Sequence, residues 1–455
     1  MLFDLIVAAD EGWGIAKGND LPWSKTDVGR ADMRYFRTVT MDGAVIMGRK
    51  TWDSLPKKPL PGRVNIVISR GPGPLEPGAS VESGAIFVND LDTALDVARR
   101  CPACFVIGGR EIYTLALHHP YLRGAYVSRI QGRYECDTYF PSHLLPARAL
   151  IICEMPGITF YKYDFTNHEE TKFLDLLREI MGAPTRPSRT GINTRSVFNR
   201  CIRFNLTDAR GPVLPLLTTK SVNWKSVYYE LIWFLQGSTN TKYLDENGVK
   251  IWAGNSSREY LDSRGLKDYE VGDVGPIYGA QWRNWNGVDQ LAQVIDTIKK
   301  DPWDRRMIVS AWNVSDIPKM CLPPCHYSFQ FYVDGKRLNC LVNMRSADVA
   351  LGVPFNIASY AFLTHIVAFL TGLIAGELSI NMADCHIYEN HLAEVGGWIT
   401  RAPVRFPIIR FGPRITELTG PAGPTIDDFA KKFTFSDYEI EGYKSRPFIK
   451  LQMAV

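Results

Sequence analysis

A change of periodicity near residue 166 limits this chain to folds with two separate cores. Before it, short β-branched runs at 44–47, 64–69, 105–107 and 125–130 alternate with turn signals, and Leu91, Leu95 and Ala98 recur at helical spacing. This pattern predicts a sheet with helices on its faces. After a strand-like run at 158–165, Thr166-Asn167-His168-Glu169-Glu170 opens a helix with Phe173, Leu174, Leu177 and Ile180 on one side. A length of 455 residues is too great for a single core. The expected division is therefore 1–164, a short junction at 165–168, and 169–455. No Pro/Gly/Ser-rich tract separates the halves, so the two domains are expected to pack rather than swing on a tether.

Composition excludes several classes. A net charge of +4, without a long basic block, does not indicate nucleic-acid binding. The opening Met1-Leu2-Phe3-Asp4-Leu5-Ile6 reads as a strand without the basic flank of an export signal. Nine cysteines, an odd number in no disulfide spacing, fit a reducing compartment, and the cytoplasm is expected. The apolar run at 361–374 is interrupted by Thr364 and His365 and is short for a membrane span, so it is expected to be a core helix. Cys101-Pro102-Ala103-Cys104 has no second pair to make a metal site, and no metal is expected.

In the first half, Met47-Gly48-Arg49-Lys50-Thr51-Trp52 follows an apolar strand and opens a helix, where backbone N–H groups and cations favour a phosphate. Alone, such a turn is usually only solvated. A second glycine turn, Ile107-Gly108-Gly109-Arg110-Glu111-Ile112-Tyr113, makes the two together a candidate dinucleotide cradle. With Gly12-Trp13-Gly14-Ile15, Leu21-Pro22-Trp23, Leu60-Pro61-Gly62-Arg63 and Asp137-Thr138-Tyr139-Phe140, these motifs resemble dihydrofolate reductase along the whole domain. The resemblance implies an α/β mixed sheet flanked by helices. It implies NADPH held by Gly48, Arg49, Lys50, Thr51, Ser69, Arg70, Gly108 and Gly109, with Ser69 and Arg70 near the adenosine 2′-phosphate. It also implies a folate bound by Ala8, Phe36, Arg63 and Ser128, with Arg63 on the glutamyl carboxylate.

Hydride transfer to a pterin needs a buried acid that accepts hydrogen bonds from the ring's amino and N–H groups. Asp32, at helical spacing from Phe36, is the candidate. Asp27 is a rival, because the stretch from Trp23 to Asp32 is longer than in short bacterial forms. An ordinary helix N-terminal Asp is the plain structural alternative. Ser128 stands where the family usually has Thr and retains the hydroxyl.

In the second half, Pro323-Pro324 fixes the backbone before Cys325-His326, displaying the thiol on a stiff turn. Most cysteines are buried small residues; a reactive one needs an electropositive setting, which Arg345 and His326 can supply if the fold gathers them. Glu230 is the lone charge in 227–235, a costly place for a carboxylate unless it is bound or does chemistry. These residues lie among Leu216-Leu217-Thr218-Thr219-Lys220, Gly275-Pro276-Ile277-Tyr278-Gly279, Arg345-Ser346-Ala347-Asp348 and the terminal Ile449-Lys450-Leu451-Gln452-Met453-Ala454-Val455. Together they resemble thymidylate synthase over 169–455, which implies an α+β domain.

That resemblance implies that Cys325 adds to carbon 6 of dUMP, with 5,10-methylenetetrahydrofolate as co-substrate, and that dTMP and dihydrofolate leave. Arg189, Arg345 and Ser346 would bind the phosphate from one subunit of a homodimer, with Arg305 and Arg306 from its partner. A solvated turn is the plain reading of that Arg pair. Glu230 would relay protons and Tyr278 would assist removal of the carbon 5 proton. Asn356 would recognise uracil, though a capping or core Asn fits too. His386 and Tyr388 would reach the ribose, Trp252 and Asp348 the folate, and the C-terminal residues would close over the site.

The sequence departs from the synthase pattern at Met344, where Gln is usual, at Ala253, where Asp is usual, and at Cys321, where Ala is usual. Met344 and Ala253 predict altered folate affinity or rate, and Cys321 a second, oxidisable thiol. The overall expectation is a bifunctional enzyme whose catalysis needs no nucleic acid and no membrane. One silent domain, or a nucleotide- or RNA-binding regulator, is the alternative; the regulator predicts a lost nucleophile or a basic stripe, and neither occurs.

Overall fold

A computed structural model describes residues 1–70, 79–82, 84–418 and 423–452. The chain divides into two compact units, Met1–Thr166 and Asn167–Val455. The first is built on a nine-stranded sheet. Its strands run in the order Leu150–Met155, Ile158–Asp164, Leu122–Ile130, Phe3–Asp10, Cys104–Gly108, Ala44–Gly48, Val64–Ile68, Ala85–Val88 and Ala79–Glu82. The six central strands from Leu122–Ile130 to Ala85–Val88 pair in parallel, and both ends close with antiparallel pairs. Parallel strands covered on both faces carry near-continuous apolar runs, and Phe3–Asp10 and Ala44–Gly48 are buried over nearly their whole length. The sequence does not anticipate the rim strand Leu150–Met155, whose six residues are all exposed.

Helix Asp27–Thr40 begins where Thr26 accepts a hydrogen bond from the Gly29 N–H. It presents Asp32 inward, well beyond the first turn. Helices Arg49–Ser54 and Arg110–His118 each start at the carboxyl end of a parallel strand, with Gly48 and Gly109 as the capping residues.

The second unit has a six-stranded sheet in the order Thr185–Arg186, Thr194–Asn205, Ile374–Tyr388, Arg337–Asp348, His326–Asp334 and Ile308–Ser310. Only Arg337–Asp348 and Ile374–Tyr388 run parallel, and helix Val353–Thr371 joins them. That helix is long and apolar enough to cross a membrane, but 83% of its apolar window is buried inside the protein. Its interior polar residues are satisfied there: His365 Nε2 bonds the Val213 carbonyl at 2.8 Å and Thr364 donates to the Tyr360 carbonyl at 2.7 Å. Helix Trp224–Leu235, capped by Asn223, carries Glu230. The short helix Tyr278–Arg283 rests on it through Gly279, where an added Cβ would lie 2.1 Å from the Phe234 carbonyl oxygen.

Candidate active sites

In the first unit, Asp32, Phe36 and Thr40 follow one another at four-residue intervals along one face of their helix. Asp32 is 4% exposed, and burial pushes its carboxyl up to about 6, with Ser128 pulling weakly the other way. Among the described residues the buried Ser128 hydroxyl has no hydrogen-bond partner of ordinary geometry. Arg63 stands above the same face, 5.7 Å from the Phe36 ring centroid and donating to Thr40 Oγ1 at 3.1 Å. Ala8 pairs in register with Ser128 on the neighbouring strand. Asp27 is exposed and paired with Arg30 on the surface, which removes it as a rival to Asp32.

The two glycine turns meet at the carboxyl ends of adjacent strands, Met47 pairing with Gly108. Such a crevice is where open α/β sheets bind ligands. Gly108 has φ of +131°, and a Cβ on Gly109 would come within 3.2 Å of the Thr51 hydroxyl, so Thr51 lies directly against this turn. Arg49 is held by Asp53 at 3.1 Å and stands over Phe87. Lys50 is exposed, Ser69 is half-buried, and Arg70 extends into solvent 3.9 Å from Glu111.

In the second unit the Pro323-Pro324-Cys325 turn is clamped from two sides. Arg345 donates to the carbonyls of Pro324 (2.9 Å) and Pro323 (2.8 Å) and reaches the Cys325 sulfur at 3.8 Å. From the other side, the Tyr278 hydroxyl accepts the Cys325 N–H at 2.9 Å. Burial pushes the Cys325 thiol up; Arg345, the Tyr278 hydrogen bond and Arg189 pull it down, and Asp348 opposes them. Tyr388 lies in the field of Asp348, Arg189 and Cys325 as well, and His386 packs edge-on against it at 5.3 Å. Glu230 accepts the Trp252 indole N–H at 2.8 Å, and burial raises its carboxyl to about 7. Asp348 accepts the N–H groups of Ala350 and Leu351, fixing the turn that leads to Asn356. Asn356 occupies the first turn of helix Val353–Thr371, and its side-chain amide makes no hydrogen bond among the described residues. Ser346, half-buried, follows Arg345 on its strand.

Arg305 and Arg306 stand apart. Both are exposed, Arg306 forks onto Asp304 at 2.6 Å, and the pair lines a cavity of about 340 Å³ with Asp301, Trp303 and Asp304. Among the described residues no hydrogen bond or ion pair joins them to the Cys325 cluster.

Comparison with known proteins establishes the family of each unit. The family model for dihydrofolate reductase matches residues 2–147, and that for thymidylate synthase matches residues 171–455. The bifunctional dihydrofolate reductase-thymidylate synthase of Zea mays is 36% identical over 527 residues, covering 100% of this chain and 97% of its own. That of Leishmania major is 37% identical, covering 100% and 95%, and that of Paramecium tetraurelia 35%, covering 100% and 99%. The chain belongs to the bifunctional dihydrofolate reductase-thymidylate synthases. It is an oxidoreductase and a methyltransferase, synthesising dTMP and reducing dihydrofolate to tetrahydrofolate.

Within this bifunctional enzyme the structure corrects three sequence expectations. His326 does not lend positive charge to Cys325, because burial lowers its pKa to about 3 and keeps it neutral. Cys321 is fully buried and its thiol is pushed up to about 12, so it has neither the access nor the thiolate character that oxidation requires. Met344 is buried in the hydrophobic core opposite His326, a packing residue rather than a gap in a polar surface. Ala253, by contrast, is exposed beside Trp252.

Sequence reasoning passed over two residues. Lys220 is 2% exposed, donates to the Ala350 carbonyl at 2.9 Å, and is lowered to about 8 by burial. Its position at the end of an apolar run was the available signal. Tyr360 reads as one more apolar helix residue, yet its hydroxyl meets His326. At the C-terminus, Ile449 and Leu451 are buried and the Gln452 carbonyl accepts from His391 Nε2 at 2.7 Å. Residues 453–455, part of the expected closure, lie outside the described residues.

Proposed function

We propose that residues 1–164 reduce dihydrofolate with NADPH and that residues 169–455 convert dUMP and 5,10-methylenetetrahydrofolate to dTMP and dihydrofolate, with 165–168 as the junction. The observation that carries this reading is the double clamp on Cys325, with Arg345 on one side and Tyr278 on the other. A nucleophile needs such fixed geometry more than a structural cysteine does.

In the synthase, Arg345, Arg189 and Ser346 bind the phosphate, and Asn356 presents donor and acceptor to the uracil edge. His386 and Tyr388 hold the ribose, while Trp252 and Asp348 face the folate. Arg345 favours loss of the Cys325 proton. The sulfur then bonds to carbon 6, the electron pair moves toward the carbonyl at carbon 4, and carbon 5 attacks the folate's one-carbon unit. Tyr278 assists removal of the carbon 5 proton, the folate is released from the one-carbon unit and returns a hydride that reduces it to the methyl group, and the sulfur–carbon bond breaks as dTMP and dihydrofolate leave. Glu230, poised near neutrality, can hold or release a proton at working pH.

In the reductase, Gly48, Arg49, Lys50, Thr51, Ser69, Arg70, Gly108 and Gly109 surround the dinucleotide, whose nicotinamide supplies the hydride. Thr51 and the bare Gly108-Gly109 turn allow close approach of a phosphate. Asp32 accepts the pterin's N–H groups and holds a proton near the reacting imine, Phe36 and Ala8 flank the ring, and Arg63 binds the glutamyl carboxylate. Ser128 supports Asp32.

A homodimer through the synthase unit is supported by the apolar side chains that its sheet leaves in solvent, Phe198, Tyr332 and Ile308, and by the separation of Arg305 and Arg306 from the site on their own chain. Nine free thiols favour a reducing compartment such as the cytoplasm. The deciding experiment gives the purified chain dUMP, 5,10-methylenetetrahydrofolate and NADPH and measures dTMP and tetrahydrofolate together. Matched formation of both is expected. Accumulating dihydrofolate would refute the reductase assignments, and absence of dTMP the synthase ones.

A further inference from the structure

Behind the nucleophile turn lies a buried polar pair that the chemistry above leaves without a task. His326 Nδ1 is 2.8 Å from the Tyr360 hydroxyl. The imidazole also stacks on Tyr278, centroid to centroid at 4.1 Å and 21° between planes, and Tyr278 in turn accepts the Cys325 N–H. Tyr360 lies one helical turn beyond Asn356, in a helix that is otherwise core.

Which way the proton points follows from satisfaction. The Tyr360 hydroxyl has one proton, and among the described residues His326 is its only hydrogen-bonding partner. If Nδ1 carried the hydrogen, the tyrosine proton would be stranded in a site 2% exposed. A stranded buried donor is more costly than an oxygen lone pair left over. The tyrosine therefore donates, Nδ1 is bare, and the imidazole hydrogen sits on Nε2. Nε2 makes no protein hydrogen bond among the described residues, and His326 retains 7% exposure, which leaves this N–H free to serve a ligand.

We propose that Tyr360 is a positioning residue of the synthase: it locks His326 in the Nε2–H form and thereby fixes a neutral hydrogen-bond donor beside Cys325. The donor serves the pyrimidine carbonyl oxygen that gains charge when the sulfur adds to carbon 6. A neutral N–H stabilises that oxygen without surrendering its proton, as a preorganised donor should. This inference rests on the synthase reading above.

The test is Tyr360→Phe in the full chain, with His326→Asn and the double variant. Nitrogen-15 spectra of histidine-labelled protein, with the His326 resonances assigned by their loss in His326→Asn, report the tautomer directly. Wild type should show the hydrogen on Nε2 and Tyr360→Phe a mixture. The variant should lose about 10- to 100-fold in kcat for dTMP, with KM for dUMP moving less than about threefold. Dihydrofolate reduction should be unchanged. The double variant should be no slower than His326→Asn alone, because Tyr360 acts through the histidine. An Nδ1–H signal in wild type, full kcat in Tyr360→Phe, or additive losses in the double variant would each overturn the proposal. Wild-type protein that makes no dTMP would instead overturn the synthase reading.

Discussion

Two buried carboxyls, Asp32 and Glu230, carry the clearest functional signature at the scale of single residues. The folded protein holds the Asp32 proton to about pH 6, whereas an unfolded chain releases it near 4. Stability from this residue is thus fully present below about pH 4, declines as pH rises to 6, and stays low above. Replacing it with Asn should stabilise the reductase unit by up to about 3 kcal/mol at pH 7.5 and by nothing near pH 4, while dihydrofolate reduction falls at least about 100-fold. Urea unfolding at the two pH values, with a reductase assay, checks both. For Glu230→Gln, kcat for dTMP should drop by roughly 10²–10⁴, and the inflection near pH 7 in kcat/KM should vanish; an unaltered pH profile would rule out the proton relay. The shared helix face of Asp32 and Phe36 was legible because their four-residue spacing is written in the sequence. The neutral state of His326 and the inert state of Cys321 were not, since both depend on burial by segments distant along the chain.

At the scale of elements, turns and strand cores were readable and contacts between elements were not. The apolar runs at 44–47, 105–107 and 125–130 became Ala44–Gly48, Cys104–Gly108 and Leu122–Ile130, because central parallel strands leave so strong a pattern. The rim strand Leu150–Met155 gives no such signal: it is apolar but faces solvent, and burial is what normally makes a strand's pattern interpretable. Helix–helix contact is equally silent in sequence. Gly279 looks like an ordinary glycine, yet it lets Tyr278–Arg283 approach Trp224–Leu235, bringing together the elements that carry Tyr278 and Glu230. Gly279→Ala should force these helices apart, cost roughly 1–3 kcal/mol and depress dTMP formation far more than dihydrofolate reduction. Thermal unfolding followed by both assays would show it, and equal losses would contradict this account.

At the scale of the whole molecule, each unit has its own hydrophobic cluster and its own chemistry. Cys325→Ser should therefore abolish dTMP formation while reduction of added dihydrofolate proceeds at the wild-type rate. A parallel fall in reductase activity would mean the two sites are not independent. The units also differ in where their strand partners lie along the chain. Every strand of the first sheet lies between residues 3 and 164, whereas Thr194–Asn205 pairs along its length with Ile374–Tyr388, nearly two hundred residues later. During translation, then, the reductase can finish folding once the chain to residue 164 has emerged, well before the synthase strands are complete. The synthase strand that emerges next must wait with one edge open until residue 388 has been made.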